Sequence, residues 1–480
     1  MRYSLIEIGL PLFVVIVGAL AFGRWLADGR RALTATPRVP IAQAQDSGPR
    51  PEDVIPPTTT PTPVPATAVT PPTTPPDDTT PAIPVSGAWP RFRGAYSDGI
   101  SYDRTPLATR WTADGPPRLW TAPLGEGYAG PAVLNGRVYL LDYDASAKQD
   151  VLRCFALHDG RELWRSGYAS PTGKQHGYSR TVPAVTEHYV VTLGPRCIVS
   201  CADAATGKQR WMHDLVAEYG TAVPEWNAGQ CPLIEDGRAI IAPGGSALLV
   251  AFDCATGEEI WRTPNPDGWK MTHSSILPLT WKGRRLYVYC ASGGVVGVDA
   301  ADGRVLWKTA DWVVRTANIP TPVSLGDGRL FLSGGCGAGS KMIRLVDKEG
   351  DIAVEELFHK REAEFGAYQQ TPIYYNGHIY SVIPNGQLAC MSPDGEIRWK
   401  SGTAHRYAWN AYTLAGGMLY LLNDRGELSL VTATPRGFSL RGKAKVLDGT
   451  ELWGPIAIAG RRLLARDLTT MVCLDIGAQP

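Results

Sequence analysis

No sign of charge predominates in this 480-residue sequence: 47 Lys and Arg stand against 46 Asp and Glu, a net of +1. Electrostatics therefore gives no reason to expect a nucleic-acid partner. Gly-x-Ser-x-Gly and His-Glu-x-x-His strings are absent, which leaves the hydrolase templates nothing to stand on. The nine cysteines are too scattered for a zinc site, and as an odd, unpatterned set they argue against a disulfide framework. Cys197 and Cys201 lie four apart along what reads as a strand, ~13 Å from each other and beyond bridging distance. Cys154, Cys290, Cys390 and Cys473 fall inside apolar strand runs and are expected as buried thiols. The stretch Gly334-Gly-Cys-Gly-Ala-Gly-Ser-Lys341 lacks the Gly-Lys-Ser/Thr order of a phosphate loop. A strand pattern follows it, not a helix, so it is expected to be a long β-turn.

What the chain does have is a repeat. Cys201-Ala-Asp-Ala-Ala-Thr-Gly-Lys-Gln-Arg-Trp211 recurs as Ala251-Phe-Asp-Cys-Ala-Thr-Gly-Glu-Glu-Ile-Trp261 and as Val298-Asp-Ala-Ala-Asp-Gly-Arg-Val-Leu-Trp307. Shorter forms run from Ala156 to Trp164 and from Met391 to Trp399. A spacing of roughly 41 to 52 residues between copies signals a repeat architecture. Each copy is led in by two apolar runs around a Gly turn, as in Pro131-Ala-Val-Leu-Asn-Gly-Arg-Val-Tyr-Leu-Leu141, where Asn135-Gly136 is a hairpin signal. Three strands, an Asp-x-x-x-Gly turn and a Trp-bearing strand make a four-stranded antiparallel unit. Such a unit cannot bury both faces alone, so the units are expected to stack around an axis as propeller blades.

The final strands are marked by Trp164, Trp211, Trp261, Trp307, Phe358 in a degenerate copy, Trp399, and a weak copy ending near Val446. The last sheet, Gly454 to Ile476, has no Trp strand of its own. Arg118-Leu-Trp120-Thr at the front is expected to complete it and close the ring. The fold expected is all-β, an eight-bladed propeller over residues 87–480. The opening Trp89-Pro-Arg-Phe-Arg-Gly94 precedes the first blade strand and is expected to lie across the propeller, with Arg91 and Arg93 as candidates for binding.

Ahead of the propeller, Ile8 to Phe22 is almost wholly apolar, with Arg2 before it and Arg24, Arg30 and Arg31 after it. The signal-peptidase-like Ala42-Gln-Ala44 lies too far from that run to be served by it, so residues 1–27 are expected as an uncleaved single-pass anchor. Residues 28–86 are a Pro/Thr-rich tether without apolar periodicity. Extended at ~3.1 Å per residue, its Pro-rich part reaches up to ~150 Å. The flanking arginines alone would set the propeller in the cytoplasm. The tether, and the family below, place it on the extracytoplasmic, periplasmic side.

The repeated Ala-x-Asp-x-x-Thr-Gly-x-x-x-Trp strings and the Trp-Pro-Arg-Phe-Arg-Gly opening resemble the quinoprotein-like (PQQ-repeat) β-propellers over about residues 87 to 480. That superfamily contains PQQ-dependent dehydrogenases and a non-enzymatic, BamB-like branch. The repeat is structural in both and does not choose between them. The dehydrogenase resemblance implies a pair of adjacent cysteines and a Glu, Asn and Asp set around Ca²⁺ holding the quinone. This chain has no Cys-Cys pair, and beside Glu225 and Asn227 no Asp completes the set. No Cys-x-x-Cys-His haem motif is present either. The resemblance therefore implies the BamB-like branch. It implies a membrane-tethered, monomeric binding or scaffolding module of the bacterial cell envelope, with no cofactor. The alternative is a dehydrogenase with PQQ and Ca²⁺.

The segments before each blade's first strand should line the central channel at one face, and they are rich in aromatic and amide groups. The candidates are Tyr128, His176, Tyr178, Arg180, Trp226, Asn227, Gln230, His273, Ser274, Asn318, Tyr368, Gln369, Trp409, Asn410 and Trp453. Stacking platforms beside amides suit a small polar ligand or an envelope protein. His176 and His273 face no carboxylate or Cys spacing that would make them metal ligands. Trp120, Trp164, Trp211, Trp261, Trp307 and Trp399 are expected to be structural, docking one blade on the next.

Overall fold

The Asp-x-x-x-Gly turn explains how one blade is fastened to another. Asp203 Oδ1 accepts the N–H groups of Ala205 and Thr206 at 3.1 and 3.0 Å, and the Gly207 N–H closes on the Asp203 carbonyl at 2.8 Å. Gly207 has φ 74°, the left-handed region where a side chain is strained. A Cβ there would lie 2.4 Å from the Trp164 ring of the preceding blade. Backbone conformation and close approach therefore both demand glycine. The pairing repeats as Trp120 with Gly160, Trp211 with Gly257, and Trp261 with Gly303. In the degenerate copy Phe358 takes the place of Trp, and Gly395 of the next blade sits against it. The indole N–H groups of Trp120, Trp211 and Trp399 donate to the next blade's Leu157, Cys254 and Thr434 carbonyls at 2.8–2.9 Å. Those of Trp164, Trp261 and Trp307 are buried without a hydrogen-bond partner among the described residues, so these three dock by apolar area.

The computed structural model describes residues 87–174, 177–449 and 451–478. Its strands form eight sheets, each built on four antiparallel strands, and one of them gains a short fifth strand in parallel. Blades 1 to 7 span residues 132–169, 184–214, 233–264, 277–309, 323–360, 373–400 and 412–445. Blade 8 takes three strands from 457–475, and its fourth is β2 (Arg118–Pro123), antiparallel to Thr470–Asp475. The N-terminal strand thus closes the ring, with Trp120 in the docking position, as the sequence implied. Arg466, fully buried, reinforces the seam by donating to the Ala129 and Gly125 carbonyls at 3.3 and 3.0 Å. Burial pushes its pKa down to about 10, still far above neutrality.

Three features lie beyond the repeat. Helix α1 (Leu215–Tyr219) follows blade 2, N-capped by Asp214 and ended by Gly220 at φ 67°. Blade 7 has no Trp in its outer strand, and Trp111 covers it from the N-terminal segment, against Gly442 and 5.9 Å from the Tyr420 ring. The segment Trp89 to Ser101 fills the channel. Trp89 pairs with Val133 of blade 1, the Pro90 carbonyl accepts from Val185 of blade 2, and Arg91 donates to Ile234 of blade 3 at 3.1 Å. β1 (Ile100–Ser101) then runs parallel to the inner strand of blade 7.

Among the described residues no helix is long and apolar enough to cross a membrane. The anchor expected at 1–27 and the tether at 28–86 lie outside the described residues. All nine cysteines are free thiols. Cys197 belongs to a turn, at φ 65°, where a strand was expected, and only from Ile198 does the strand begin. The glycine-rich stretch is a tight turn between strands Arg329–Gly334 and Gly339–Lys348.

Candidate functional site

The lead-in segments of successive blades converge at the mouth of the channel and are tied to one another there. Tyr128 N–H donates to the Ser179 carbonyl at 2.7 Å, and Tyr178 N–H to that of Glu126 at 3.3 Å, joining blades 1 and 2. From Tyr128 an arc of rings follows the rim. Tyr128 stacks on Trp453 with centroids 4.9 Å apart and planes 22° apart. Trp453 meets Trp409 at 5.9 Å and 50°, and Trp409 meets Tyr368 at 5.2 Å and 43°. The Gln370 amide donates to the Trp453 carbonyl at 3.1 Å, fixing the middle of the arc. The Tyr128 hydroxyl donates to Glu451. Across the mouth, Trp226 and His273 lie 6.3 Å apart. Such pairs contribute ~0.5–1.5 kcal/mol each beyond area burial, so the arc is largely preorganised.

These groups surround a cavity of about 330 Å³, with Phe92 of the channel-filling segment in its wall. The Arg180 guanidinium lines it, 5.5 Å from the centre of the Tyr128 ring. Burial lowers the Arg180 pKa to about 10, so the group keeps its charge at neutral pH. His273, pushed down to about 4 by burial and by Arg180, is neutral there. One of its ring nitrogens, Nε2, lies 3.0 Å from the Asn227 carbonyl oxygen. Among the described residues no carboxylate lines the cavity, although Glu451 accepts from the hydroxyl of Tyr128 in its wall.

Of the fifteen candidates, eight line this cavity: Tyr128, Arg180, Trp226, His273, Tyr368, Gln369, Trp409 and Trp453. Tyr178 instead stacks on Tyr143 at 4.2 Å, and His176 lies outside the described residues. Five others belong to the blades and not to the cavity wall. Gln230 exchanges two hydrogen bonds with the backbone of Ala242, and Ser274 donates to the Pro320 carbonyl. Asn410 binds the Tyr407 carbonyl, Asp424 and the Leu452 N–H. Asn227 and Asn318 are buried, and Asn227 Nδ2 and both polar side-chain atoms of Asn318 have no hydrogen-bond partner among the described residues. Gln230 and Asn410 are thus engaged within and between the blades, as buried amides generally are.

Sequence reasoning missed Cys336, which also lines the cavity and is exposed. It was findable. The turn between second and third strands of a blade lies on the same face as the lead-in to its first strand, so the turn after Gly334 had to lean over the mouth. Gly335 indeed packs against Tyr368.

A family model described as outer membrane protein assembly factor BamB matches residues 147–401, just over half of the chain. The chain belongs to this family. Among its BamB relatives, that of Moranella endobia (strain PCIT) is 20% identical over 281 residues, covering 57% of this chain and 69% of the relative. That of Yersinia pestis is 20% identical over 312 residues, covering 62% and 74%. The solved BamB of Moraxella catarrhalis superposes with a TM-score of 0.53 at 13% identity, covering 76% of this chain and 99% of that one. A quinohemoprotein alcohol dehydrogenase from Comamonas testosteroni gives 0.56 at 13%, covering 82% and 81%. At such identities the solved structures show the fold alone.

A quinohemoprotein dehydrogenase shares this fold, and a Ca²⁺-held quinone at the mouth would need a set of hard oxygen ligands. Among the described residues no group of three His, Cys, Asp or Glu is placed to hold a metal ion. Glu225 points to solvent, while Asn227 is buried with its carbonyl oxygen engaged by His273. The mouth offers one guanidinium, amides and ring faces instead. The residues present do not fit that group.

Proposed function

We propose that this BamB-family propeller is a non-catalytic binding and scaffolding module of the bacterial cell envelope. Residues 1–27 anchor it and residues 28–86 hold it off the membrane on the extracytoplasmic side. Its partner, an envelope protein or a small polar ligand, docks at the channel mouth. One observation carries this reading: a preorganised aromatic arc borders an open cavity, and Trp409, near its centre, is 42% exposed. A solvent-facing Trp held by neighbouring rings is what a docking hot spot requires, because little conformational freedom remains to be lost on binding. The relatives' description as outer-membrane assembly factors agrees with such a role.

The test places a photo-crosslinking amino acid at Trp409 in the full chain and, as a control, at Lys443 on the outer strand of blade 7. An adduct in the envelope fraction that depends on Trp409 and not on Lys443 supports the reading. Equal labelling from both positions would overturn it. In parallel, the purified full chain is titrated with PQQ and Ca²⁺. Stoichiometric quinone binding with dye-linked oxidation of alcohols or sugars would move the protein to the dehydrogenase class.

A further inference from the structure

The face opposite the mouth carries the two most exposed large apolar side chains among the described residues, Tyr96 at 68% and Tyr102 at 58%. Scattered surface tyrosines are ordinary. These two are held as a pair, edge to face, with centroids 5.3 Å apart and planes at 90°. The Tyr102 hydroxyl donates to Asp98 Oδ2 at 2.7 Å, and Asp98 Oδ1 accepts the Ile100 N–H at 3.0 Å. Arg93 in turn donates to the Asp98 carbonyl at 2.7 Å. The rings are thus fixed to the segment that fills the channel, while most of their surface stays open to solvent.

The chain enters the propeller on that same face. β1 runs parallel to the first strand of blade 7 and so ends at the turn that closes that strand, away from its lead-in. Leu107, further along, approaches Gly416 in the same turn. Gly87 lies at the corresponding turn of blade 8, between strands Ala457–Ala459 and Arg462–Arg466, where a Cβ on it would come within 1.9 Å of the Gly460 nitrogen. The sequence just ahead of Gly87 suits the tyrosine pair. Residues 71–76 read Pro-Pro-Thr-Thr-Pro-Pro, with Pro72 and Pro75 in Pro-x-x-Pro spacing. Such segments favour the polyproline II helix and dock on aromatic rings at little cost in chain entropy. Residues 77–86 span about 31 Å when extended at ~3.1 Å per residue. Neighbouring sheets pack ~10 Å apart, so this length carries the chain from blade 8 past blade 7 to the pair. Asp77 and Asp78 directly follow Pro76 and are the only charged residues of 54–86. Arg104, exposed two residues beyond Tyr102, offers the opposite charge.

We infer that residues 71–78 dock on the Tyr96–Tyr102 pair of the same chain, with prolines stacked on the ring faces and the two aspartates turned to Arg104. Docking leaves residues 28–70 as the free part of the tether. It also sets the mouth on the face opposite to the one where the tether leaves, turned away from the anchor that the proposed function assigns to residues 1–27. That orientation rests on the anchor reading. The docking itself does not.

The experiment places a photo-crosslinking phenylalanine analogue at Tyr96 in the full chain, in detergent, and as a control at Leu357 on the outer strand of blade 5, which is 38% exposed. Peptide mapping is expected to find the Tyr96 adduct on residues 71–78, in the same proportion at low and high protein concentration. Pro72→Ala together with Pro75→Ala should remove most of that adduct and leave thermal melting unchanged. Asp77→Asn with Asp78→Asn should lower it by less and abolish its dependence on salt. An adduct as frequent from Leu357 as from Tyr96, or one that survives the loss of both prolines, would overturn the docking. An adduct that grows with protein concentration would give the segment to a second copy, and one on another envelope protein would give the pair to a partner. Either overturns the assignment within one chain. Failure of the mouth as a docking site would show instead at Trp409, on the other face, so the two results can be told apart.

Discussion

The channel's interior and its mouth are built from the same kinds of side chain, arginines beside aromatics, and use them in opposite ways. Inside, Arg93 donates to the Ser97, Thr371, Asp98 and Pro372 carbonyls at 2.7–3.2 Å. The void left between this segment and the neighbouring blades is about 10 Å³, no more than a water fills. At the mouth, Arg180 adjoins a cavity some thirty times larger and Trp409 faces solvent. Buried donors satisfied by fixed carbonyls stabilise a fold. Ring faces that remain open after packing contribute little to the core, and the proposed function gives them to a partner.

The comparison is most sharply tested by removing Arg93. Arg93→Ala leaves several buried carbonyls without their donor and is expected to destabilise the protein by about 4 kcal/mol, measured by urea unfolding. It should leave crosslinking from Trp409 unchanged in protein that remains folded. A loss below ~1 kcal/mol would mean that the segment is a loose filler and not part of the core.

The mouth face is not wholly open, and Asp150 marks where it is not. Its carboxyl, fully buried in blade 1 against Gly194 of blade 2, is pushed up to about 7 by burial, which the Tyr168 and Ser170 hydroxyls only partly offset. An acid with a raised folded pKa binds its proton more tightly folded than unfolded. Stability should therefore fall as pH rises from about 4, where the unfolded chain releases its proton, to about 7, and level off above. Asp150→Asn is expected to flatten this slope and to add roughly 2–4 kcal/mol at neutral pH. Urea midpoints at about pH 5 and about pH 8 decide it, and an unchanged slope in the variant would assign the dependence to another group.

How much of this was legible in the sequence follows the same division. The Trp–Gly docks could be read because both halves recur in register, and the missing last Trp pointed to Trp120 at the other end of the chain. The crossing segment was legible as a location, since its aromatics and arginines precede every blade strand. Its partners were not, because Arg91 and Arg93 bind backbone carbonyls, which no side-chain pattern betrays. At the mouth, the lead-in segments have no periodicity, so nothing told outward Trp226 from inward Gln230. Trp111 was invisible for another reason: it supplies blade 7 with an aromatic cover from far outside that blade's own repeat.

The smallest expected effect on stability is also the most telling for function. Trp409 is bordered by Tyr368 on one side and Trp453 on the other, yet is 42% exposed, so truncating it opens no closed cavity in the core. Trp409→Ala should shift the unfolding midpoint by less than ~1 kcal/mol, far below the ~3–5 kcal/mol of a core Trp such as Trp211. If the arc is a docking platform, the same change should reduce partner binding by ten-fold or more, since a hot-spot Trp contributes ~2 kcal/mol or above. A large loss of stability with unaltered binding would reverse the comparison and make the mouth a second structural seal. A small loss with abolished binding would mean that Trp409 is retained for what it meets outside the fold.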